Sequence, residues 1–226
     1  MLIGILQTGI SPEPLRNTFG DYPDMFARLL AGHGLSFKSY HVEAMEFPDT
    51  VHDCDGWLIT GSRHGVYEDL PFIAPLEEFI RKAYGEHVPM VGICFGHQII
   101  AQAMGGKVEK FARGWAVGPQ DYDFGGRHLR MNAWHQDQVT RKPDQAEIIG
   151  SNAFCQNAAL LYDDHALTIQ AHPEFATDFI DGLMRTRGKG VVPDSVMSEA
   201  RHHFGESISS SEVAEQIADF FNKSRN

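Results

Sequence analysis

The sequence predicts an α/β fold built around a mainly parallel β-sheet. Three short runs rich in Ile, Val and Leu have the length and composition of buried strands. Longer amphipathic stretches alternate with these runs and predict helices. The predicted strands are LIGIL, DGWLIT and VPMVGI, and the predicted helices span residues 22–32, 72–84 and 95–105. Strands that alternate with helices in this way pack as a mainly parallel sheet covered by helices.

A small β-rich excursion is predicted between about residues 107 and 171. The apolar runs in this part of the chain are short, and they follow one another without room for long helices. Examples are RHLRMN, AEIIGS and ALTIQA. The excursion falls within a main domain that we place at residues 1–188.

A helical C-terminal extension is expected over residues 189–226. The turn-rich stretch GKGVVPDS marks the change, and SSSEVAEQIADFFNKSRN follows it with an amphipathic pattern. Ser209 and Glu212 have the spacing of a capping box, in which each side chain accepts a hydrogen bond from the backbone of the other residue. The pattern therefore predicts a helix that begins directly after Ser209.

Length and charge restrict the function classes. The chain has 226 residues, of which 42% are hydrophobic, so it can bury a substantial core. Its 19 basic and 30 acidic side chains give a net charge of −11. This charge disfavours non-specific binding to nucleic acid or to an anionic membrane, and it favours a small or neutral ligand.

Cysteine usage indicates a reducing compartment. Cys54, Cys94 and Cys155 are odd in number, far apart and without CxxC spacing, so neither a zinc site nor a disulfide framework is indicated. The N-terminal MLIGILQTG lacks the basic flank of a secretory signal, and no apolar run approaches the ~20 residues of a membrane span. We therefore expect a cytoplasmic protein.

One cysteine occupies a position suited to nucleophilic chemistry. In GICFGHQ, a predicted strand ends at Ile93 and a helix begins near Phe95, so Cys94 lies in a sharp turn between Gly92 and Gly96. The same geometry defines the nucleophile elbow of G-x-S-x-G enzymes. A helix N-terminus stabilises a thiolate, and the Phe95 N–H points to where an oxyanion would form. This motif alone is equally compatible with an inert buried cysteine, so the interpretation requires a base.

The candidate base lies in ALTIQAHPEF, where a strand-like run ends at His172. Pro173 restricts His172 to an extended conformation. Residues at a spacing of two share one side of an extended chain, so Glu174 can hold one imidazole nitrogen while the other faces a thiol. A histidine on an apolar strand is more often structural, but its combination with a cysteine elbow makes a Cys–His–Glu triad plausible.

These two motifs resemble those of class I (triad) glutamine amidotransferases, most closely the glutaminase domain of GMP synthase and its free-standing relatives. The resemblance covers roughly residues 1–180. It implies a flavodoxin-like sheet and an enzyme that needs no metal or cofactor. It also implies that Cys94 attacks the side-chain amide of glutamine, that a γ-glutamyl thioester forms with release of ammonia, and that water completes hydrolysis. His172 would be the acid–base and Glu174 would orient it.

Two further stretches match this family and imply its remaining contacts. DGWLITGSRHGVYED resembles the glycine-containing loop after an early strand, so Gly61 and Phe95 would supply the two oxyanion-binding N–H groups. RGWAVG resembles the segment whose main chain holds the amino-acid end of glutamine, which places Gly114 and Trp115 near the substrate. Gln98 of GHQ would make a further substrate contact.

The sequence departs from the family in NAWHQDQV, where relatives of GMP synthase usually carry Ser-His-Gly-Asp. His135 and Asp137 are retained, whereas Trp134 and Gln136 are bulkier than the usual residues. The resemblance implies that this stretch lies near the mouth of the site, where it affects the choice of substrate or partner. His135 is equally compatible with a substrate contact and with a structural role.

Three functions remain open. No G-x-x-x-x-G-K-[ST] motif occurs, and the chain is too short for an additional synthetase domain. The chain is therefore an ammonia-supplying subunit of a separate synthetase, a free-standing hydrolase of glutamine or another small γ-glutamyl compound, or a non-catalytic regulatory module. The complete triad disfavours the third, and the altered NAWHQDQV stretch and the C-terminal extension favour the second. No nucleic-acid or membrane partner is expected.

Overall fold

A seven-stranded β-sheet lies at the centre of the protein in the computed structural model, which describes residues 1–223. The strands in chain order are β1 (Leu2–Leu6), β2 (Ser36–Tyr40), β3 (Gly56–Ile59), β4 (Met90–Ile93), β5 (Lys107–Lys110), β6 (Ala116–Phe124), β7 (Arg127–His135), β8 (Asp137–Arg141), β9 (Ala146–Gly150), β10 (Ala159–Tyr162) and β11 (Ala166–Ile169). The helices are α1 (Glu13–Phe19), α2 (Tyr22–Leu29), α3 (Ile73–Gly85), α4 (Phe95–Ala103), α5 (Thr177–Leu183), α6 (Asp194–His202) and α7 (Ser210–Lys223). The strands predicted from the three apolar runs and the helices predicted between them are all present, with ends shifted by at most three residues.

The sheet has the order β2-β1-β3-β4-β11-β10-β9. The five strands from β2 to β11 are parallel, whereas β10 and β9 form an antiparallel edge. The parallel part has the 2-1-3-4-5 order of flavodoxin-like folds, with β11 as the fifth strand. The mainly parallel α/β architecture predicted from the sequence is thus confirmed.

The β excursion is shorter than predicted. Strands β6 and β7 form a hairpin whose turn residues Gly125 and Gly126 have φ of 65° and 90°, and β5 pairs with β8. Strands β9, β10 and β11, however, return to the central sheet, and β11 is parallel to β4. The excursion thus ends near residue 141 rather than 171, because the buried run ALTI fills a central position in the sheet.

Helices cover both faces of the sheet. One face packs against α3 and α4, and the opposite face packs against α2 and α7. The alternation of side chains along the strands divides the core accordingly, since Leu6 and Ile59 face the first pair while Ile5 and Leu58 face the second. Within residues 1–223, no helix combines the length and apolar character needed to cross a bilayer.

Helix α7 begins directly after Ser209, as predicted, but the capping box does not form. The Ser209 N–H donates to Arg130 O at 2.7 Å, and the Ser209 hydroxyl accepts from the Arg130 N–H at 3.2 Å. The Glu212 carboxylate pairs with Arg127 at 2.5 Å. Both side chains therefore bind strand β7 rather than the first turn of α7. Residues 224–226 of the predicted extension lie outside the described residues.

Helix α7 supplies core side chains, which gives a stability prediction. Phe221 is fully buried in the cluster that also contains Ile5 and Leu58. Phe221→Ala should lower the free energy of unfolding by about 3–5 kcal/mol, since it leaves a cavity against the sheet. Denaturant unfolding measures the change, with Glu215→Ala on the exposed side of α7 as the control. Equal stability of the two variants would contradict the packing of α7 on the sheet.

Candidate active site

The candidate site lies at the carboxyl ends of four neighbouring parallel strands. Thr8 follows β1, Gly61 follows β3, Cys94 follows β4, and His172 follows β11. The carboxyl ends of parallel strands share one edge of the sheet, where α/β proteins bind ligands. Residues that are far apart in the sequence therefore meet at this edge.

Cys94 lies in a strained turn between β4 and α4. Its φ and ψ are 53° and −101°, a backbone conformation that residues other than glycine rarely adopt. Its N–H donates to Ile169 O at 2.9 Å. The flanking glycines are required by close contacts. A Cβ at Gly96 would lie 2.2 Å from Ile59 O, and a Cβ at Gly92 would lie 2.5 Å from Gly96 O. The structure thus places the cysteine in the elbow geometry that the sequence predicts.

His172 pairs with Glu174 next to this turn. Its Nδ1 lies 2.7 Å from Glu174 Oε1, and the two side chains are only 4% and 1% exposed. A carboxylate accepts, so Nδ1 carries the proton and Nε2 is left for the thiol. Cys94 and His172 line the same cavity. The structure therefore brings together the three residues of the predicted triad.

The charge of His172 depends on its two partners. Burial lowers the pKa of His172, but attraction to Glu174 and to Cys94, together with the hydrogen bond to Glu174, outweighs burial and raises the pKa. An imidazolium is thus stabilised between two negative groups.

The segment after β11 is held by the β excursion. His172 N–H donates to Asn132 O on strand β7 at 2.8 Å, and Asn132 Nδ2 donates to Phe175 O at 2.8 Å. The Phe175 ring stacks on the imidazole with centroids 4.0 Å apart and planes within 6°. Neither residue is predictable from the sequence, because an asparagine in a strand and a phenylalanine in a loop carry no chemical signature by themselves.

The loop after β3 brings Gly61 beside the triad. A Cβ added at Gly61 would lie 2.9 Å from His172 Cε1 and 3.7 Å from Cys94 Cβ. The Thr8 hydroxyl fixes this loop, since it lies 2.9 Å from Thr60 O and 3.1 Å from Gly61 O. Thr8 is a further residue that the sequence analysis did not identify.

Phe95 directly follows Cys94, and its side chain lies in the core. Its ring is buried against Phe72, with centroids 6.0 Å apart. Phe95 is the first residue of α4, and the first amides of a helix have no acceptor within that helix. Its N–H is thus free of helical bonding beside Cys94, as an oxyanion donor requires.

A cavity of about 300 Å³ opens beside Cys94. Its wall includes predicted residues and others that sequence reasoning missed. The predicted ones are Gly61, Cys94, Gln98, Trp115, His135 and His172, and the missed ones include Tyr22, Tyr67, Lys110 and Arg187. All four residues of the departing stretch 134–137 also line it, and the Trp134 ring lies 5.9 Å from that of Trp115. Among residues 1–223, no group of His, Cys, Asp or Glu is arranged to hold a metal ion.

Gln98 and His135 present acceptors to the cavity. Gln98 Nε2 donates to Asp137 O at 2.9 Å and to Gln170 Oε1 at 3.0 Å, which leaves its carbonyl oxygen for a ligand. His135 Nδ1 donates to Asp137 O at 3.2 Å. Burial, and secondarily the charge of His172, lower the pKa of His135 to about 3, so it is neutral and its Nε2 is an acceptor. That Nε2 is buried without a partner in the described part of the chain.

Gly114 does not line the cavity. Its φ of 94° turns the chain before Trp115, and its N–H donates to Phe111 O at 3.1 Å. The amide that the resemblance assigns to substrate is therefore already bonded within the loop. Trp115 alone represents the RGWAVG stretch in the cavity wall.

Similarity to known proteins extends over most of the chain. The family model "Glutamine amidotransferase class-I" matches residues 20–182. Gamma-glutamyl peptidase 4 of Arabidopsis thaliana is 32% identical over 185 residues, which cover 74% of this chain and 73% of the relative. Gamma-glutamyl-L-1-hydroxyisopropylamide hydrolase of a Pseudomonas species is 29% identical over 73% of this chain and 63% of the relative.

Two further similarities agree with this match. A glutamine-hydrolyzing GMP synthase subunit of Methanothermobacter thermautotrophicus is 35% identical over 106 residues, which cover 43% of this chain and 55% of the relative. The crystal structure of a glutamine amidotransferase from Methylobacillus flagellatus superposes with a TM-score of 0.78 at 21% identity, over 98% of this chain and 94% of that one. The family match covers most of the chain and includes the strands that carry Gly61 and Cys94. The chain belongs to the class-I glutamine amidotransferase family.

Proposed function

We propose that this protein hydrolyses the γ-glutamyl amide bond of glutamine or of a related γ-glutamyl compound through a thioester on Cys94. The observation that supports this most strongly is that the strained Cys94 turn and His172, which is paired with the buried Glu174, line one cavity. An elbow conformation at a cysteine and an imidazole oriented by a carboxylate are the two requirements for nucleophilic attack on an amide.

The first half of the reaction forms the thioester. The Cys94 thiolate attacks the γ-carbonyl carbon, and the Gly61 and Phe95 N–H groups bind the resulting oxyanion. The His172 imidazolium gives its proton to the amide nitrogen, the C–N bond breaks, and ammonia or an amine leaves. The γ-glutamyl group is then bound to Cys94 sulfur, and His172 is neutral.

Hydrolysis of the thioester completes the cycle. Neutral His172 takes a proton from water as the water oxygen attacks the γ-carbonyl carbon. The C–S bond then breaks, glutamate is released and the thiolate–imidazolium pair is restored. Gln98 and His135 would accept hydrogen bonds from the α-ammonium group of the γ-glutamyl moiety, since both present acceptors to the cavity. Trp115 would pack beside the γ-glutamyl methylene groups.

A hydrolase that acts without a synthetase is the version we favour. Two relatives that each match about three quarters of this chain are named as a peptidase and as an amide hydrolase, and both names specify a γ-glutamyl group. A second candidate is an ammonia-supplying subunit of a separate synthetase, which the similarity to a GMP synthase subunit supports over 43% of the chain. Both candidates use the same triad, and they differ in whether the isolated protein hydrolyses its substrate without a synthetase.

The nucleophile assignment predicts that turnover depends on Cys94. Purified protein without ATP should release glutamate from glutamine or from small γ-glutamyl amides at neutral pH. Cys94→Ala should lower kcat/KM by roughly 10³-fold or more, because no other group in the cavity can form the thioester. Cys54→Ala is the matched control, since Cys54 does not line the cavity.

Alkylation gives an independent readout of the same cysteine. A glutamine-like electrophile should label Cys94 first, because burial raises the pKa of Cys155 to about 12 and also raises the pKa of Cys54. Wild-type release no greater than that of Cys94→Ala would reject the free-standing hydrolase. Recovery of release only when a copurifying synthetase is added would favour the synthetase-dependent candidate.

The orienting role of Glu174 predicts a shift in the pH profile. His172→Ala should lower kcat/KM by about 10²- to 10⁴-fold, and Glu174→Gln should lower it less because the amide still accepts a hydrogen bond. In Glu174→Gln the attraction to the carboxylate is lost, so burial has the larger effect on His172 and its pKa falls. The imidazolium loses its proton at lower pH, and the basic limb of the profile should move to lower pH.

The matched control for this pH experiment is Glu147→Gln, which changes an exposed carboxylate on strand β9. Its profile should superpose on that of the wild type. An unshifted basic limb in Glu174→Gln, or full activity of His172→Ala, would contradict the assigned roles.

The position of Gly61 predicts that any side chain there disturbs the reaction. A Cβ would lie 2.9 Å from His172 Cε1, so Gly61→Val should displace the imidazole or the loop N–H. Loss of one oxyanion donor costs about 3 kcal/mol, which lowers kcat roughly 10²-fold or more. Gly85→Val is the control, because a Cβ at Gly85 meets no atom within 4 Å. A folded Gly61→Val protein with wild-type kcat would place the oxyanion site elsewhere.

A further inference from the structure

A second cavity, adjacent to the catalytic one, is lined by basic residues that the reaction on glutamine does not use. We propose that this pocket, defined by Arg187, Arg63, Arg16 and Ser11, binds a carboxylate carried by the leaving group. The preferred substrates would then be γ-glutamyl amino acids or peptides rather than glutamine or neutral γ-glutamyl amides. This inference rests on the proposed hydrolysis and specifies its substrate class.

The proton donor fixes the side on which the leaving group lies. His172 gives its proton to the departing nitrogen, so the leaving group must lie next to the imidazole. From there a row of contacting side chains runs along the wall. Phe175 stacks on His172, the Tyr22 ring lies 5.9 Å from Phe175, and Arg187 Nη1 lies 3.4 Å from the Tyr22 hydroxyl. This row of side chains links the imidazole to the Arg187 cation in the cavity wall.

Arg187 is positioned for an anion. It lies in the π-helical turn Met184–Gly188, and its Nη2 donates to Ile10 O at 2.7 Å. The hydrogen bonds to the Tyr22 hydroxyl and to Ile10 O use only two of the five N–H donors of the guanidinium. Within residues 1–223, neither Arg187 nor Arg16 forms a salt bridge with an acidic side chain. The remaining donors of Arg187 can bind a carboxylate, which accepts from a guanidinium in a bidentate manner.

A second cavity of about 300 Å³ shares Arg187 and Arg63 with the catalytic one, so the two cavities are adjacent. Its wall also contains Arg16 and Ser11. Ser11 is only 2% exposed, and its hydroxyl has no hydrogen-bond partner in the described part of the chain. A buried hydroxyl without a hydrogen-bond partner is unfavourable, and a carboxylate in this cavity would accept a hydrogen bond from it.

The charge of this pocket is opposite to that of the whole protein. Its wall carries three arginines and two glutamates, Glu13 and Glu43, in a chain of net charge −11. Glu43 Oε1 lies 3.1 Å from His64 Nε2 and 3.9 Å from Arg63 Nη2, whereas Glu43 Oε2 is buried without a hydrogen-bond partner in the described part of the chain. The pocket therefore retains positive charge next to the leaving-group side, which selects an anion over ammonia or a neutral amine.

The test uses substrate pairs that differ only in a carboxylate. γ-Glutamyl-glycine is compared with γ-glutamyl-methylamide, and γ-glutamyl-β-alanine with γ-glutamyl-ethylamide, by glutamate release. The member with the carboxylate should have a kcat/KM at least about tenfold higher in one or both pairs, because a desolvated charged hydrogen bond contributes on that scale. Most of the difference should appear in KM, since the carboxylate is remote from the reacting atoms.

Variants of Arg187 and Ser11 test whether this pocket causes the preference for a carboxylate. Arg187→Gln should bring the ratio of kcat/KM within a pair close to one, and Ser11→Ala should lower it several-fold. The ratio is measured on one preparation, so partial misfolding does not mimic the effect. Arg185→Gln is the matched control, because Arg185 lies in the same π-helical turn but is 65% exposed and pairs with Asp181. The ratio in this control should equal that of the wild type.

The outcomes separate the two proposals. Glutamate release from both members of each pair without preference would overturn the carboxylate pocket and leave the hydrolase standing. A preference that survives both Arg187→Gln and Ser11→Ala would also overturn it, since the anion would then bind elsewhere. No release from any γ-glutamyl compound would overturn the proposed hydrolysis, and the carboxylate pocket with it.

Discussion

A positive φ at Cys94 turns strand β4 directly into helix α4, and the rest of the site is arranged around that turn. The turn requires the start of α4 to approach β3 so closely that only a glycine fits at residue 96. The Cys94 N–H is bonded to Ile169 O at the end of β11, so the neighbouring strand is held in register. This register places His172 beside the thiol. The strained conformation persists at Cys94 because the contacts with β3 and with the end of β11 hold the turn in place.

The second constraint is the burial of charge. His172 and Glu174 are almost completely enclosed, and burial would neutralise an isolated imidazole. Their pairing, and the presence of Cys94, keep the imidazole charged. Asn132 from the hairpin fixes the backbone of this segment, and Phe175 fixes the plane of the ring. The β excursion is therefore not peripheral to the site, since its strand β7 supports the segment that carries the base.

The chain beyond residue 182, where the family match ends, contributes to both core and cavity. Helix α7 buries Phe221 against the sheet, and the π-helical turn after α5 directs Arg187 toward the cavity. π-Helical turns are uncommon, and many of those that occur lie at functional sites. The predicted C-terminal extension begins directly after this turn.

The sequence by itself determined the α/β class, the cysteine turn and the pairing of His172 with Glu174, because each depends on local chemistry. Apolar runs specify strands, glycines at a spacing of four permit a sharp turn, and a spacing of two places side chains on one side of an extended chain. Only the tertiary structure decided that β9 to β11 return to the sheet, that Ser209 bonds to Arg130 and that Arg187 lies near Tyr22. These features depend on contacts between residues far apart in the chain, and no local pattern encodes them.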